Sequence, residues 1–400
     1  MTAAKTSRPK LRRVLRTIHL WIGVSLGIPF ALLGVTGSIL VYEHEIADLF
    51  DRSPKPVLAT GEAQPVSVIV EAARAKAPAG AVPAMFSIPD EADAPVMVRF
   101  AQPSRQATGP GGAAIVRIDP VSLAIFEPRE RSAAQRWLRE IFQLHANMFS
   151  GRDGRYWIGW LGVLMCILGL SGLIIWWPRP SRWKQALGVS RGSHPIQFNR
   201  DLHGSVGFWG LIVFMMVCFS GVYICFPQTT GEIVRSIFPG RDLRAEAAAV
   251  RVEPHPGVER LEVDGALALA RVETPGLRLR MVSFPTRPDQ AYRVAFELPG
   301  TTPGHGVPMI AVFVDPWARA IAAVQDPRRF TLGETITVWQ RALHGGYGLG
   351  WIWQFLTFVS GLLPVLFAIT GITMWWLRRK HKKKAQAGAI DRVPSPSAAE

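Results

Sequence analysis

The 400 residues are 48% hydrophobic and carry 45 Lys and Arg against 30 Asp and Glu, a formal net charge of +15. The positive excess is clustered at the edges of apolar segments, with no basic face interleaved with base-stacking aromatics, which excludes a nucleic-acid-binding surface. Cys166, Cys218 and Cys225 all fall in apolar segments and make no CxxC or other metal-type spacing, so no cysteine-based metal site or disulfide framework is read.

Residues 1–16 form a basic lead-in with Lys5, Arg8, Lys10, Arg12, Arg13 and Arg16. The stretch 17–43 is apolar, as are 157–177, 203–226 and 351–377, and each reaches the roughly 18–20 residues that span a bilayer. The first is too long for a signal peptide and lacks a small-residue cleavage motif, so it is read as a retained span. It holds Gly23 and Gly27, then Gly34 and Gly37, a pattern of small residues that lets a helix or a flat cofactor approach closely.

The connection 44–156 opens with a Pro-containing linker over 53–65. A helix follows over 66–76, then strands over 84–88, 96–101, 114–118 and 124–127, with Asp119-Pro120 as a turn and 109–112 as a hairpin loop. The spacing of Trp137, Leu138, Ile141, Phe142, Leu144 and Met148 predicts a membrane-surface helix over 132–149 that leads His145 toward the bilayer. A short basic loop, 178–202, joins the second and third spans. The connection 227–350 repeats the theme: a helix over 263–272, strands over 278–283, 291–297 and 310–314, the turn Asp315-Pro316, and an apolar approach over 335–343 to His344. The tail 378–400 is basic, then rich in Ala, Ser and Pro, and reads as disordered.

Lys and Arg near span ends set orientation. The lead-in, the 178–202 loop with Arg179, Arg182, Lys184, Arg191 and Arg200, and the tail with Arg378, Arg379, Lys380 and Lys382 are all expected in the cytosol. The two long connections then lie outside as small α+β domains. A bacterial inner membrane with both termini cytosolic is the expected location, with membrane lipid as the surrounding partner.

The chain repeats itself. Ile18-His19 leads to Thr36-Gly37 and Leu202-His203 to Ser220-Gly221, 18 positions each from His to Gly; Leu144-His145 leads to Ser171-Gly172 and Leu343-His344 to Thr370-Gly371, 27 positions each. This is an internal duplication of a two-helix unit with a histidine on each helix. Given the orientation, His19 and His203 sit at the cytoplasmic level, and His145 and His344 at the outer level. Eighteen residues of helix rise about 27 Å, so Gly37 and Gly221 reach the outer histidines and, by the same logic, Gly172 and Gly371 reach the cytoplasmic ones.

Paired imidazoles beside residues without side chains suit flat cofactors that need two axial nitrogens each, and a b-type haem at each level is the expected occupant. Copper or another metal held by each His pair is the alternative chemistry. His44, at the outer end of the first span, is a candidate substitute ligand or proton-transfer group. His194, His255, His305 and His381 lie in polar stretches and read as solvated. No GxGxxG follows a strand and no Walker A is present, so electrons are expected from a quinol or a cytosolic reductase, not from a bound nucleotide.

Four motifs carry a resemblance to a family: Ile18-His19-Leu20-Trp21-Ile22-Gly23; Leu144-His145 with Gly172 and Trp176-Trp177-Pro178; Arg200-Asp201-Leu202-His203 with Gly221-Val222-Tyr223; and Leu343-His344 with Thr370-Gly371 and Trp375-Trp376. With the two Asp-Pro turns, they make the chain similar to PepSY-associated transmembrane proteins, which include iron-regulated membrane proteins and siderophore reductases. That resemblance implies an inner-membrane protein with two haems, ligated by His19 and His203 and by His145 and His344, reducing a ferric siderophore or related ferric substrate on the periplasmic side. The alternative is a non-enzymatic protein whose PepSY-like domains bind or regulate a partner. A permease is disfavoured because ionisable residues are absent from mid-membrane.

Overall fold

A computed structural model describes residues 8–50, 56–91, 94–101, 113–127, 132–190, 192, 194–255 and 257–390. Four helices in it are long and apolar enough to cross a membrane: α1 (Arg8–Val41), α5 (Gly151–Trp176), α7 (Pro195–Cys225) and α12 (Gly350–Ile390). They pack as a closed ring, α1 on α12, α12 on α7, α7 on α5 and α5 on α1. The α1–α12 seam is the tightest, because Gly34 and Gly361 bring the two backbones together and a Cβ on either would strike the other helix. Ser38 Oγ locks that crossing by donating to the Phe358 carbonyl at 2.8 Å.

The apolar approach to His344 is helix α11 (Leu332–Gly345), and helices α3 (Val66–Arg74), α4 (Ala133–Asn147) and α10 (Val263–Glu273) stand where helices are expected. So do strands β1 (Val82–Ser87), β2 (Val96–Ala101), β3 (Ala113–Ile118), β4 (Ile125–Phe126), β5 (Leu279–Ser283), β6 (Tyr292–Phe296) and β7 (Ile310–Asp315). Short helices α2 (Glu43–Phe50), α6 (Trp183–Ala186), α8 (Pro227–Ile237) and α9 (Leu243–Ala249), and strand β8 (Ala320–Gln325), were not expected from the sequence.

The expectation of two separate α+β domains is corrected by the strand pairing. The eight strands among the described residues form one antiparallel sheet in the order β4-β3-β2-β1-β5-β6-β7-β8. The join is β1 against β5, with Met85 opposite Ser283 and Phe86 opposite Val282. Each four-stranded half alone would leave an unpaired inner edge, and pairing the two edges satisfies both. Phe86, Val98, Val116, Val282, Val294 and Val312 share one buried face, which α3 and α10 cover. These two helices meet where the Ser67 amide donates to the Asp264 carboxylate at 3.3 Å.

The two Asp-Pro turns end equivalent strands for one physical reason. Asp119 accepts from the Val121 amide at 2.9 Å and the Ala59 amide at 2.8 Å, and Asp315 accepts from the Trp317 amide at 2.7 Å.

The tail departs from expectation. Helix α12 runs on to Ile390, its basic end held by Arg379 stacked 4.8 Å over the Trp375 ring and Lys380 placed 5.4 Å over Trp376. The expected hairpin loop at 109–112, the start of the linker at 53–55 and the tail at 391–400 lie outside the described residues.

Candidate functional site: two opposed histidine pairs

The four repeat histidines come together as two pairs. His145 faces His344 with ring centroids 6.1 Å apart, and His19 faces His203 at 6.3 Å. The first pair lies at the end of the bundle nearer the sheet and the second at the opposite, distal end.

The elements place them differently. His145 and His344 occupy the last turns of α4 and α11, both started by a capping box, Ser132 with Gln135 and Thr331 with Glu334. Both helices stop in left-handed backbone, at Met148 (φ 50°) and at Gly346 (φ 81°), which turns the chain at once into the next span. His19 and His203 instead sit within the span helices α1 and α7.

Every ring rests on a hydroxyl-glycine step of another helix in its own half of the chain. His145 Nδ1 lies 3.0 Å from Thr36 Oγ1, His19 Nδ1 2.9 Å from Ser171 Oγ, His344 Nδ1 3.1 Å from Ser220 Oγ, and His203 Nδ1 2.8 Å from Thr370 Oγ1. The glycine that follows each hydroxyl leaves room for the imidazole itself. A Cβ built on Gly37 or Gly221 would stand 3.0 Å from the Cε1 of His145 or His344, on Gly172 3.3 Å from that of His19, and on Gly371 3.9 Å from that of His203.

Thr36, Ser171, Ser220 and Thr370 contact the four rings, and reading for ligands alone passes over them. Their signal is present in the sequence: all four repeat glycines are preceded by a hydroxyl residue.

The hydrogen bonds also fix the tautomer. His344 Nδ1 is 3.0 Å from the Val217 carbonyl, which only accepts, so Nδ1 carries the hydrogen and Nε2 keeps its lone pair. Histidines that bind metals characteristically donate their other ring N–H in this way. Burial, and then the proximity of His344, pushes His145 down to about 4. Burial lowers His344 as well, so both rings are neutral near pH 7, the form in which imidazole binds a metal.

The distal pair opens into a cavity of about 1230 Å³ walled by helices α1, α5, α7 and α12. That exceeds the roughly 300–1,000 Å³ of ordinary ligand pockets. Gly23 faces open space there, with nothing within 4 Å of where a Cβ would be. Arg16, Arg179, Arg182, Arg200, Arg379 and Lys382 line the cavity with a single acidic partner, Asp201, which Arg200 pairs at 3.0 Å. The distal pair therefore combines two imidazoles, glycine-lined walls and a cationic rim suited to carboxylates.

A spacing test bears on what the pairs suit. Two metal–nitrogen bonds of about 2.0 Å with a ring radius of about 1.2 Å on each side separate the centroids of two imidazoles on one metal by about 6.4 Å. Spacings of 6.1 and 6.3 Å are close to this length, with the rings inclined at 39° and 68°. Among the described residues no group of three or more His, Cys, Asp or Glu is placed to hold a metal ion. Side chains alone thus offer no cage, and two opposed imidazoles suit a metal that brings its own equatorial ligands.

Other candidates separate from the pairs. His44, on α2, has its Nδ1 3.5 Å from Tyr347 Oη and opposes neither pair. His194 caps α7 by accepting from the Ile196 amide and lies near His381, with ring centroids 5.4 Å apart.

Comparison with known proteins agrees with this architecture. The chain is 24% identical over 290 residues to the uncharacterized protein PA4219 of Pseudomonas aeruginosa, a match covering 63% of this chain and 66% of that protein. The chain thus spans just under two thirds of the length of the curated relative it matches. A family model described as the PepSY-associated TM region matches residues 16–378, from the residue before Thr17 on α1 to the end of the apolar part of α12. The protein is a membrane protein of the PepSY-associated transmembrane family.

Proposed function

We propose that this protein is a di-haem electron-transfer protein of a bacterial inner membrane that reduces a ferric siderophore or related ferric chelate on the periplasmic side. The observation that carries the reading is the pair of opposed imidazole couples at 6.1 and 6.3 Å, each ring fixed through Nδ1. In this reading His19 with His203 and His145 with His344 would hold the two groups through their ring nitrogens. A b-type haem at each pair supplies one-electron redox chemistry on iron.

The chain's own groups do the remaining work. Thr36, Ser171, Ser220 and Thr370 orient the rings and hold each Nδ1. The apolar cavity walls suit the faces of a flat group, and the cationic rim would balance carboxylates there. Among the described residues, Arg16, Arg179, Arg182, Arg200, Arg378, Arg379 and Lys382 lie together at the distal end, which supports a cytosolic placement of that end and a periplasmic placement of the sheet. The mirror order of the strands about β1 and β5, with the repeated hydroxyl-glycine and histidine placements, supports descent from a duplicated unit. A quinol or a cytosolic reductase is the proposed donor.

The test is haem stoichiometry of detergent-purified protein, with dithionite difference spectra. Two b-type haems are expected in the wild type, and one in His19→Ala, His203→Ala, His145→Ala or His344→Ala. A wild-type protein free of haem after expression with ample haem supply would sink the reading and leave a binding or regulatory role.

A further inference from the structure

The distal end carries more positive charge than the haem reading uses. Seven exposed cations ring the mouth of its cavity: Arg16 from α1, Arg179 and Arg182 from the loop after α5, Arg200 from α7, and Arg378, Arg379 and Lys382 from α12. Asp201 answers Arg200, and the two carboxylates of one b-type haem would answer two more. Four cations remain, and no other described residue lining the cavity is acidic.

The rim is held in shape by its own contacts. Arg12 Nη2 donates to the Trp177 carbonyl at 2.8 Å and to the Ile174 carbonyl at 3.2 Å, which ties α1 to the C-terminus of α5. His381 on α12 meets His194, the cap of α7, edge to face at 5.4 Å, and Arg379 stacks 4.8 Å over Trp375. The extension of α12 is therefore fixed against α7. Lys382 stands six residues past Trp376, about 9 Å of helical rise. A headgroup zone is only about 5–7 Å deep on each side of a bilayer. With the tryptophans at the interface, Lys382 reaches past the lipid phosphates into the cytosol. The rim is also close to the distal pair, since Arg16 and Arg200 precede His19 and His203 by three residues each, about 4.5 Å of helix.

The cavity's chemistry separates two kinds of electron donor. A quinol gives up two protons with its two electrons and needs bases to take them. The acids and imidazoles that line the cavity are Asp201, engaged by Arg200, and His19 and His203, whose Nδ1 atoms meet Ser171 and Thr370. Among the described residues no tyrosine, glutamate or cysteine supplements them. A donor that passes an electron without a proton suits this lining, and an anionic surface suits the rim.

We propose that the distal rim is the docking surface for an acidic, soluble one-electron carrier protein of the iron–sulfur or flavin class. The proposal rests on the reading above for the destination of the electron. In each encounter the carrier is oxidised by one electron, the group held by His19 and His203 is reduced by one, and no proton or bond moves. Docking itself needs no electron.

The probe is an acidic plant-type [2Fe–2S] ferredoxin, presented to the full-length protein in phosphatidylcholine nanodiscs. Binding of the oxidised ferredoxin is read by biolayer interferometry, and electron entry from the reduced ferredoxin by stopped-flow absorbance. Wild-type binding should weaken about tenfold or more between about 50 and 300 mM salt, because exposed charges make the contact. Lys382→Glu/Lys383→Glu should weaken it about tenfold at low salt, while Arg99→Glu/Arg117→Glu, the same charge change on exposed sheet positions, leaves it unchanged. His19→Ala, which removes a proposed ligand, should bind oxidised ferredoxin at least as tightly as the wild type. A wild type that lacks haem yet binds ferredoxin in this way leaves docking standing while the haem reading fails. No binding, salt-independent binding, or equal weakening by both charge-reversed pairs overturns the proposal. So does faster reduction by duroquinol than by ferredoxin, or loss of binding once phosphatidylglycerol is in the disc, which would assign the rim to lipid.

Discussion

Glycine-to-alanine substitution at the four repeat glycines provides a graded test of how the rings are seated. The added Cβ would lie 3.0 Å from Cε1 at Gly37 and Gly221, 3.3 Å at Gly172 and 3.9 Å at Gly371. Ordinary contact begins at about 3.4 Å, so the sheet-side rings must retreat by about 0.4 Å while Gly371 already has room. Retreat is resisted because Nδ1 is held at 3.0 Å by Thr36 and at 3.0 Å by the Val217 carbonyl. Overpacking of this kind costs about 1–3 kcal/mol. Alanine returns up to about 1 kcal/mol of helix propensity at every site.

The net expectation is a loss of roughly 0–2 kcal/mol at Gly37 and Gly221, a smaller one at Gly172, and a neutral or stabilising change at Gly371. The assay is haem titration of the apo-protein together with its melting temperature. At about 1.4 kcal/mol per decade, Gly221→Ala should weaken haem binding at the sheet-side pair up to about 30-fold, with Gly371→Ala unchanged. Equal losses at Gly371 and Gly221 would refute the seating geometry.

Other outcomes follow from particular contacts. Ser171→Ala, which removes the hydroxyl at His19 Nδ1, should weaken haem retention at the distal pair about tenfold. Ser220→Ala should do less, because His344 keeps the Val217 carbonyl; midpoint potentials of both variants check the order. Phe86→Ala, deep in the sheet core at the β1–β5 join, should destabilise the protein by about 3–5 kcal/mol, read as a fall in melting temperature. Glu334, buried and bonded to Arg241 at 2.8 Å, is held down at about 2 by that hydrogen bond. Its folded value lies below its unfolded one, so its contribution is complete above about pH 4.5 and is lost as pH falls toward 2. The stability gap between wild type and Glu334→Gln, about 1.5–3 kcal/mol near pH 7, should therefore close across that window in acid melts.

Much of this architecture is legible in the residues because it is written in period and spacing. Four uncharged runs give the spans, and the constant 18- and 27-position intervals put His19 and His203 at one level and His145 and His344 at another. Which hydroxyl-glycine step receives which ring was not legible, since it depends on helix packing: α1 meets α5 at His19 and Ser171, and α7 meets α12 at His203 and Thr370. Strand β8 escaped notice because Ala-Ile-Ala-Ala-Val-Gln carries too little bulk to signal a strand and is recruited by β7. The β1–β5 join was hidden for a deeper reason. An edge strand's sequence tells which face is apolar, and the identity of its neighbour is fixed only in three dimensions. The hydroxyls at Thr36, Ser171, Ser220 and Thr370 stood in plain sight, and only the ring contacts give them a role.

The fused sheet ties the two halves of the chain together outside the bundle. Strand β4 precedes α4 and strand β8 precedes α11 in chain order, at opposite edges of one sheet. The helices bearing His145 and His344 nevertheless dock on the spans, α4 on α5 and α1, and α11 on α7. The sheet-side gap and the distal gap are therefore both set by the same four-helix ring.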